Sequence, residues 1–184
     1  MDRMTTRLVG HPVRSAIIAL TAVIALLAIG TAVGASVLNH DTEVLANKGA
    51  KRLLIQTNAD ANSFASSNLQ VTGSGTITIP GPQVGILVAT FTAESNCTGA
   101  ADGWCNIIIS CDGTELQPAV GTDFAFDSVG AASSSSNWHS LSVVRRSNTL
   151  AGGGHSCEVR ENLANGATNF RLDDWVFTVE YWRQ

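Results

Sequence analysis

The sequence has few charged residues, and the charge that it carries is mostly negative. Charged side chains make up only 14% of its 184 residues. Beyond residue 35 the chain has 8 lysines and arginines against 14 aspartates and glutamates. Arg145-Arg146 is the only adjacent basic pair beyond residue 70, and we expect it to be a solvated strand end. Because proteins bind nucleic acids through basic patches or stripes, this composition argues against a nucleic-acid partner.

Motifs that would indicate a catalytic or metal site are also missing. There is no G-x-S-x-G nucleophile elbow, no calcium loop of the EF type and no paired C-x2-C of a zinc site. His139 and His155 can be combined with several aspartates into a Ser-His-Asp triad, but a chain with this many serines yields such combinations by chance. The aspartates in question are Asp123, Asp127, Asp173 and Asp174. We therefore expect no catalytic residue, no metal and no cofactor.

The longest stretch without charge lies near the N-terminus. Ser15 to Leu38 contains no charged residue, and three arginines precede it. A basic start followed by an apolar run is typical of an export signal, and small residues at 33–35 would allow cleavage before Ser36. If it is not cleaved, the segment 15–38 is long enough to anchor the chain in a membrane as one helix, with the arginines inside. Both interpretations of residues 1–35 place the C-terminal body outside the cytoplasm, either secreted or membrane-anchored.

The remainder of the chain divides into two parts. Residues 36–70 are rich in Ala, Asn, Ser and Thr around one apolar patch, Leu53-Leu54-Ile55, and we interpret them as a partly disordered spacer. From residue 71 onward the hydrophobic pattern has period two and is interrupted by turn residues about every 8–12 positions, with no convincing amphipathic helix. This pattern predicts an all-β domain over 71–184, a β-sandwich or jelly roll of about 8–9 antiparallel strands.

The last predicted strand has the clearest alternation. One of its faces carries large apolar residues and the other is mainly polar, so we expect the apolar face to be turned into the core. The apolar positions are Trp175, Phe177, Val179 and Tyr181. The same pattern predicts a short strand over Asp123 to Asp127. It also predicts a strand that begins at Gly75 and is stopped by Pro80 and Pro82.

Three of the four cysteines lie close together, and the fourth is far downstream. Cys105 and Cys111 lie in one predicted strand with their α-carbons roughly 20 Å apart, whereas a disulfide requires less than about 7 Å. Two of the three pairings remain: 97–105 with 111–157, and 97–111 with 105–157. We prefer the first, because a turn joins Cys97 to Cys105 and because Cys111 and Cys157 both lie near sheet edges. An even number of cysteines outside the cytoplasm indicates structural disulfides.

Four tryptophans raise the question of a ligand-binding face. Trp175 shares its strand face with Phe177 and Val179, so we assign it to the core. Trp104 and Trp182 are the more exposed pair on the predicted strands. They are the candidate ligand-facing residues, for a carbohydrate or a protein ligand.

Several segments resemble a family of uncharacterised exported bacterial proteins with a compact β-sandwich body, and the resemblance covers about residues 84–180. The segments are ATFTAESNC, GWCNIIISCDG, GTDFAFDS, TLAGGGHSCEVRE and GATNFRLDDWVFTVE. More distantly, a Gly-rich turn that leads into a strand near the end of an all-β body is similar to jelly rolls of the C1q/TNF type. Neither resemblance brings an activity or a functional residue to this chain.

These features predict an exported, non-catalytic binding or structural module that is stabilised by disulfides. A homo-oligomer is compatible with the sequence. The alternative is a secreted hydrolase that acts on polysaccharide or peptide. A cleft with paired carboxylates, or a perturbed histidine beside a serine, would favour the enzyme, whereas a flat face with an exposed Trp104 or Trp182 would favour binding.

Overall fold

The computed structural model describes the backbone of residues 41–46 and the whole of residues 52–130 and 137–184. The predicted export signal, residues 1–35, and the predicted anchor, residues 15–38, lie outside these ranges. Within the ranges, no helix is long and apolar enough to cross a membrane.

The described residues form antiparallel strands and no α-helix, which confirms the predicted all-β class. The described residues contain ten strands, of which β6 and β7 are only two residues long. In chain order they are β1 (Asp41–Ala46), β2 (Arg52–Asn58), β3 (Asn62–Phe64), β4 (Gly75–Gly99), β5 (Trp104–Cys111), β6 (Thr114–Glu115), β7 (Asp127–Ser128), β8 (His139–Arg146), β9 (Leu150–Ala164) and β10 (Ala167–Arg183).

The strands fold into two layers because β4 changes its partner part of the way along. Its residues 85–99 pair with β10, and part of this segment also pairs with β8. Together with β2 and β1 these strands make the first layer, in the order β1-β2-β10-β4-β8. Residues 75–79 of β4 pair instead with β9, which continues through β5 to β6 and forms the second layer. The layers face each other: a β-carbon on Gly75 would overlap the Leu54 side chain of β2.

The prolines of β4 bend the strand, whereas the sequence predicts that they end it. β4 is continuous from Gly75 to Gly99, with a register shift between Ile79 and Val84. Pro80 and Pro82 lie in that shift, where β4 has no register partner on β9. The N–H group that proline lacks is therefore not required for a hydrogen bond between these strands. The bend is therefore the point at which β4 passes from the second layer to the first.

The core lies between the two layers and confirms the predicted alternation of the last strand. Trp175, Phe177, Val179 and Tyr181 of β10 are all 0% exposed. Trp175 lies 6.1 Å from Phe91 between ring centroids, and Phe126 lies 5.9 Å from the same ring. These aromatic contacts join β10, β4 and the segment before β7 into one cluster.

Residues assigned to the spacer also contribute to the sandwich. β2 pairs with β10 and places Leu54 in the core, and β3 adds the buried Phe64. The apolar patch Leu53-Leu54-Ile55 therefore belongs to a strand of the first layer. Where the independently folding domain begins stays a prediction.

Candidate functional site

Two disulfides support the part of the fold that carries the candidate site. Cys97 is bonded to Cys105, and Cys111 to Cys157, as predicted, and no free cysteine is found in the described residues. Cys97 lies in the first layer and Cys105 in the second, so this bond ties the layers together. Cys111 and Cys157 are register partners on neighbouring strands, so the second bond reinforces the β5–β9 ladder.

A cleft of about 310 Å³ opens beside the Cys111–Cys157 bond. The β5–β6 hairpin forms one side of it and the connection between β8 and β9 forms the other. The residues that line it include Asp112, Thr114, Glu115, Leu116, Asn148 and Leu150. This volume is at the lower end of the range of about 300–1,000 Å³ that is usual for small-molecule sites.

Both carboxylates of the cleft are already held by the protein. Asp112 Oδ1 accepts a hydrogen bond from the Ser156 N–H at 2.9 Å, and Asp112 Oδ2 lies 2.7 Å from Nδ1 of His155. Glu115 Oε1 accepts from two backbone N–H groups, those of Val120 at 3.0 Å and Gly121 at 3.1 Å. The two acids therefore position the turn at 112–113 and the loop after β6.

His155 is surrounded by acceptors, so the structure favours its protonated form. Nδ1 faces the Asp112 carboxylate, and Nε2 lies 3.0 Å from the Ala151 carbonyl oxygen. Burial lowers the pKa of His155, but the hydrogen bonds to Asp112 and Ala151 and the charge of Asp112 outweigh it, so the pKa is raised. Burial raises the pKa of Asp112, yet the His155 and Ser156 contacts leave that pKa lowered. Asp112 is thus unsuited to act as a general acid, a role that requires a raised pKa.

The groups of the cleft that remain available to a ligand are neutral. The structure gives the Thr114 hydroxyl and the Asn148 amide no hydrogen bond within the described residues. Ser147 is committed, since its Oγ accepts from the Leu87 N–H at 2.8 Å and donates to the Asn148 carbonyl at 2.6 Å. Leu116 and Leu150 supply the apolar part of the lining.

The residues that could be combined into a triad from the sequence are not arranged in a catalytic order in the structure. Asp127 is the centre of a small network, in which its Oδ1 lies 3.1 Å from His139 Nδ1 and its Oδ2 accepts from Ser95 Oγ at 2.9 Å. The serine is therefore bonded to the aspartate and not to the imidazole that would have to take its proton. His155 lies elsewhere, against Asp112, and is 12% exposed in its side chain, whereas that of His139 is 52% exposed.

Asp123, Asp173 and Asp174 are the other aspartates that the sequence offers for such a triad. Oδ1 of Asp173 accepts from the N–H of Asp174 at 3.0 Å, a local contact between neighbours. Asp123 lies in the loop between β6 and β7. Among the described residues, no group of three or more potential ligands is arranged to hold a metal ion.

The two candidate ligand-facing tryptophans lie far apart. Trp104 begins β5 and pairs with Ala164, just before the β9–β10 hairpin, whereas Trp182 lies at the far end of the 17-residue strand β10. Trp182 is 42% exposed, and Trp104 is half-buried with its indole N–H donating to the Thr122 carbonyl at 2.9 Å. The structure does not bring them to one face, and their role in ligand binding stays a prediction.

A buried arginine is the main feature that the sequence does not predict. Arg145 is 8% exposed, which corrects its interpretation as a solvated strand end. Its guanidinium carbon lies 4.5 Å above the centre of the Phe124 ring. Burial lowers the pKa of Arg145, and the nearby charge of Glu115 opposes that shift. Phe124 thus packs against Arg145 from a loop. The alternation of Asp123 to Asp127 predicts a strand over these residues, but only Asp127 and the following Ser128 form one.

Glu161 is a second buried acidic or basic group that no pattern in the sequence marks. It is 0% exposed on β9, with Oε1 accepting from the Leu69 N–H at 2.7 Å and Oε2 without a hydrogen-bond partner. Burial raises the pKa of Glu161 to about 7, and the hydrogen bond from Leu69 only partly offsets it. Glu161 lies on the same face of β9 as Cys157 and Val159, which are both buried. The carboxyl group is therefore desolvated.

We expect this buried acid to make the fold less stable as the pH rises. Between its ordinary pKa of 4.5 and about 7, the unfolded chain loses the Glu161 proton while the folded chain keeps it. The free energy of unfolding should therefore fall by about 3 kcal/mol across this window and change no further above it, because one pKa unit corresponds to about 1.4 kcal/mol. Urea melts at a series of pH values measure this.

Glu161→Gln is the matched variant for this experiment, because it keeps the acceptor for Leu69 and removes the titration. The difference in unfolding free energy between variant and wild type should grow by about 3 kcal/mol from pH 4.5 to pH 8. Other groups that titrate in the same range, such as His155, are common to both proteins and cancel in the difference. A difference that does not change with pH would show that Glu161 is ionised in the folded state.

Comparisons with known proteins give no family for this chain. No protein-family model and no curated protein matches it. Among solved structures it is similar to dimeric latent PorU from Porphyromonas gingivalis, with a TM-score of 0.49 and 14% identity over 82% of this chain and 14% of that chain. This chain thus spans only a small part of PorU.

Two carbohydrate-binding modules are also among the similar structures. One is CBM6cm-2 from Cellvibrio mixtus lichenase 5A, in complex with cellotriose, with a TM-score of 0.26, 15% identity, and coverage of 76% of this chain and 86% of that one. The other is the CBM22-1 xylan-binding domain of Paenibacillus barcinonensis Xyn10C, with a TM-score of 0.28, 8% identity, and coverage of 78% and 81%. At these TM-scores the likeness assigns neither a family nor a ligand.

Proposed function

We propose that this chain is an exported, non-catalytic binding module whose cleft takes a neutral, polyhydroxylated ligand such as a carbohydrate. The observation that carries the proposal is the chemistry of the cleft beside Cys111–Cys157. Its carboxylates, Asp112 and Glu115, already accept hydrogen bonds from backbone N–H groups. The hydroxyl of Thr114 and the amide of Asn148 can therefore donate hydrogen bonds to a ligand and accept them from it. A sugar ring presents hydroxyl groups at its edge and C–H groups on its faces, which suits these polar groups together with the apolar Leu116 and Leu150.

The two disulfides support the location in this proposal. Disulfides persist in oxidising compartments and are rare in the cytosol. Their presence fits the export signal or membrane anchor predicted for the N-terminal residues. We also interpret the two layers as a β-sandwich or jelly roll, in which β4 passes from one layer to the other at its register shift.

The arrangement of acids and histidines favours binding over the alternative, a secreted hydrolase. A glycosidase needs one carboxyl group that stays protonated near neutral pH, and the pKa of Asp112 in the cleft is lowered. A triad enzyme needs a nucleophile bonded to the histidine, and Ser95 is bonded to Asp127 instead. We therefore do not propose a reaction for this site.

The proposal predicts that Asn148→Ala and Thr114→Val each weaken the binding of a neutral oligosaccharide by about fivefold. One lost hydrogen bond is worth roughly 1 kcal/mol, and about 1.4 kcal/mol corresponds to a factor of ten. A panel of neutral oligosaccharides is first screened by thermal shift with the exported protein. The affinity of any oligosaccharide that binds is then measured by calorimetry for the wild type and both variants.

Asn162→Ala is the matched control, because it truncates an asparagine that lies away from the cleft. Asn162 is half-buried on β9, near the end of the β5–β9 ladder that is opposite to Cys157. It should leave the affinity unchanged. If no neutral oligosaccharide binds, or if the cleft variants bind as tightly as the control, the assignment of this cleft is wrong. Turnover of an oligosaccharide by the wild type would contradict the non-catalytic part of the proposal.

A further inference from the structure

His155 contacts both of the chain segments that enclose the cleft. Its Nδ1 lies 2.7 Å from Oδ2 of Asp112, which lines the cleft from the β5–β6 hairpin. Its Nε2 lies 3.0 Å from the carbonyl oxygen of Ala151. Ala151 directly follows Leu150, which lines the cleft from the start of β9. The imidazole ring therefore forms a bridge between the two sides of the cleft.

A bend in β9 brings Ala151 back to His155. In a straight strand, residues four positions apart are separated by about 13 Å, which a histidine side chain cannot span. The register with β4 shows the bend, because residues 80–83 of β4 lie opposite the single residue Gly152 of β9. Gly153 has a φ of 152°, a backbone conformation that favours glycine. The contact from His155 therefore holds a glycine bend in one position.

Both contacts of His155 can be hydrogen bonds only when the ring is protonated. A carboxylate and a backbone carbonyl accept hydrogen bonds and do not donate them, and a neutral imidazole has one N–H group. The imidazolium has two N–H groups and can donate to Asp112 and Ala151 together. Loss of the proton therefore removes one of the two bonds. We expect the bond to Ala151 to be the one that is lost, because a charged carboxylate is the stronger acceptor.

Asp112 is the charged group that faces His155. β4 carries no charged residue over 75–93, and the β8–β9 connection, residues 147–149, carries none either. The next charged groups are Glu115 on the hairpin, which is held by two backbone N–H groups, and Glu158 on β9, which pairs with Arg160. Burial lowers the pKa of His155, but the hydrogen bonds to Asp112 and Ala151 and the charge of Asp112 raise it by more. The imidazolium therefore persists above the ordinary pKa of 6.5.

We propose that His155 is a pH-sensitive clamp on the cleft: its imidazolium holds the hairpin and the start of β9 together, and loss of the proton releases the start of β9. The glycines at 152–154 let the bend open without moving the rest of the strand. The clamp regulates the cleft described above, and its effect on a ligand rests on the proposed function. In the protonated form the two sides keep Thr114 and Asn148 at a fixed separation, and in the neutral form a ligand binds more weakly.

NMR of the isotope-labelled protein tests the clamp without a ligand. The full chain is produced with its own leader, and the exported product is purified and titrated from about pH 5 to about pH 9. Correlations between the ring protons and ring nitrogens of His155 report which nitrogens carry a proton. The backbone amides of residues 150–152 should shift with the same apparent pKa as this ring. A ring that is neutral throughout, or amides that do not follow its titration, would overturn the clamp.

His155→Gln and His139→Gln are the matched variants for this titration. His155→Gln removes the titrating ring, so the amides of residues 150–152 should no longer respond to pH in this range. His139 contacts Asp127 at the other end of β8 from the cleft, so His139→Gln should leave the response unchanged. Glu161 is present in both variants and has a pKa of about 7. A response that persists in His155→Gln would therefore come from Glu161 and would contradict the clamp.

Binding measurements separate the clamp from the proposed function. For a neutral oligosaccharide found by the thermal-shift screen, the dissociation constant of the wild type should rise at least about fivefold from about pH 5 to about pH 9, as expected for one lost hydrogen bond. That of His155→Gln should stay constant. A wild-type affinity that is independent of pH would overturn the regulation and leave the proposed function intact. If no oligosaccharide binds while residues 150–152 titrate with His155, the proposed function fails and the clamp is supported.

Discussion

Removing the Cys111–Cys157 disulfide by a double substitution to alanine is expected to lower the free energy of unfolding by about 4 kcal/mol. The bond joins residues 46 positions apart, and in the chain-entropy model closing a loop of that length restricts the unfolded chain by this amount. The bond also lies between register partners on β5 and β9, beside the turn that Asp112 holds. Denaturant melts of the oxidised wild type and the double variant measure the difference.

The Cys97–Cys105 bond provides a comparison within the same protein. It spans 8 positions, so the same model gives it a smaller contribution of roughly 2.5 kcal/mol. Its removal should therefore be the milder change, although it is the bond that ties the two layers together. If removal of Cys97–Cys105 costs more than removal of Cys111–Cys157, the linkage between layers, and not loop length, determines the stabilisation.

The pairing of the cysteines was predictable in part, because strand geometry excludes one of the three pairings and a turn favours one of the other two. Cys105 and Cys111 are too far apart along β5 to bond, and a short turn brings Cys97 back to Cys105. The inward face of β10 was predictable for a similar reason, because apolar and polar residues alternate along this long strand and the apolar side is the buried one. Both inferences use distances and directions that the chain fixes locally.

The features that escaped prediction depend on which parts of the chain meet in three dimensions. Phe124 and Phe126 alternate like strand residues, but Phe124 is held by the guanidinium of Arg145 from a distant strand. The patch around Leu54 is too short to predict a strand, and it becomes one because β10 offers an edge to pair with. The cleft likewise arises where the β5–β6 hairpin meets the β8–β9 connection, and no local pattern marks Asn148 as one of its lining residues.

Phe177→Ala is expected to cost about 3–5 kcal/mol, which is enough to unfold many small domains. Phe177 is 0% exposed in the middle of β10, with Phe91 of β4 as its register partner on one side and Gln56 of β2 on the other. Truncation to alanine removes the buried area of the ring and leaves a cavity that the surrounding β-sheet can only partly close. A denaturant melt of the variant, compared with the wild type at the same pH, gives the cost.

Thr178→Ala is the matched control, because it changes the next residue of the same strand on the opposite face. Thr178 is only half-buried, and its neighbours across the sheet are Thr90 and Ile55 of the outer surface, so its truncation should cost less than about 1 kcal/mol. If Thr178→Ala proved more damaging than Phe177→Ala, the inward face of β10 would be assigned to the wrong side, and with it the core that joins the two layers.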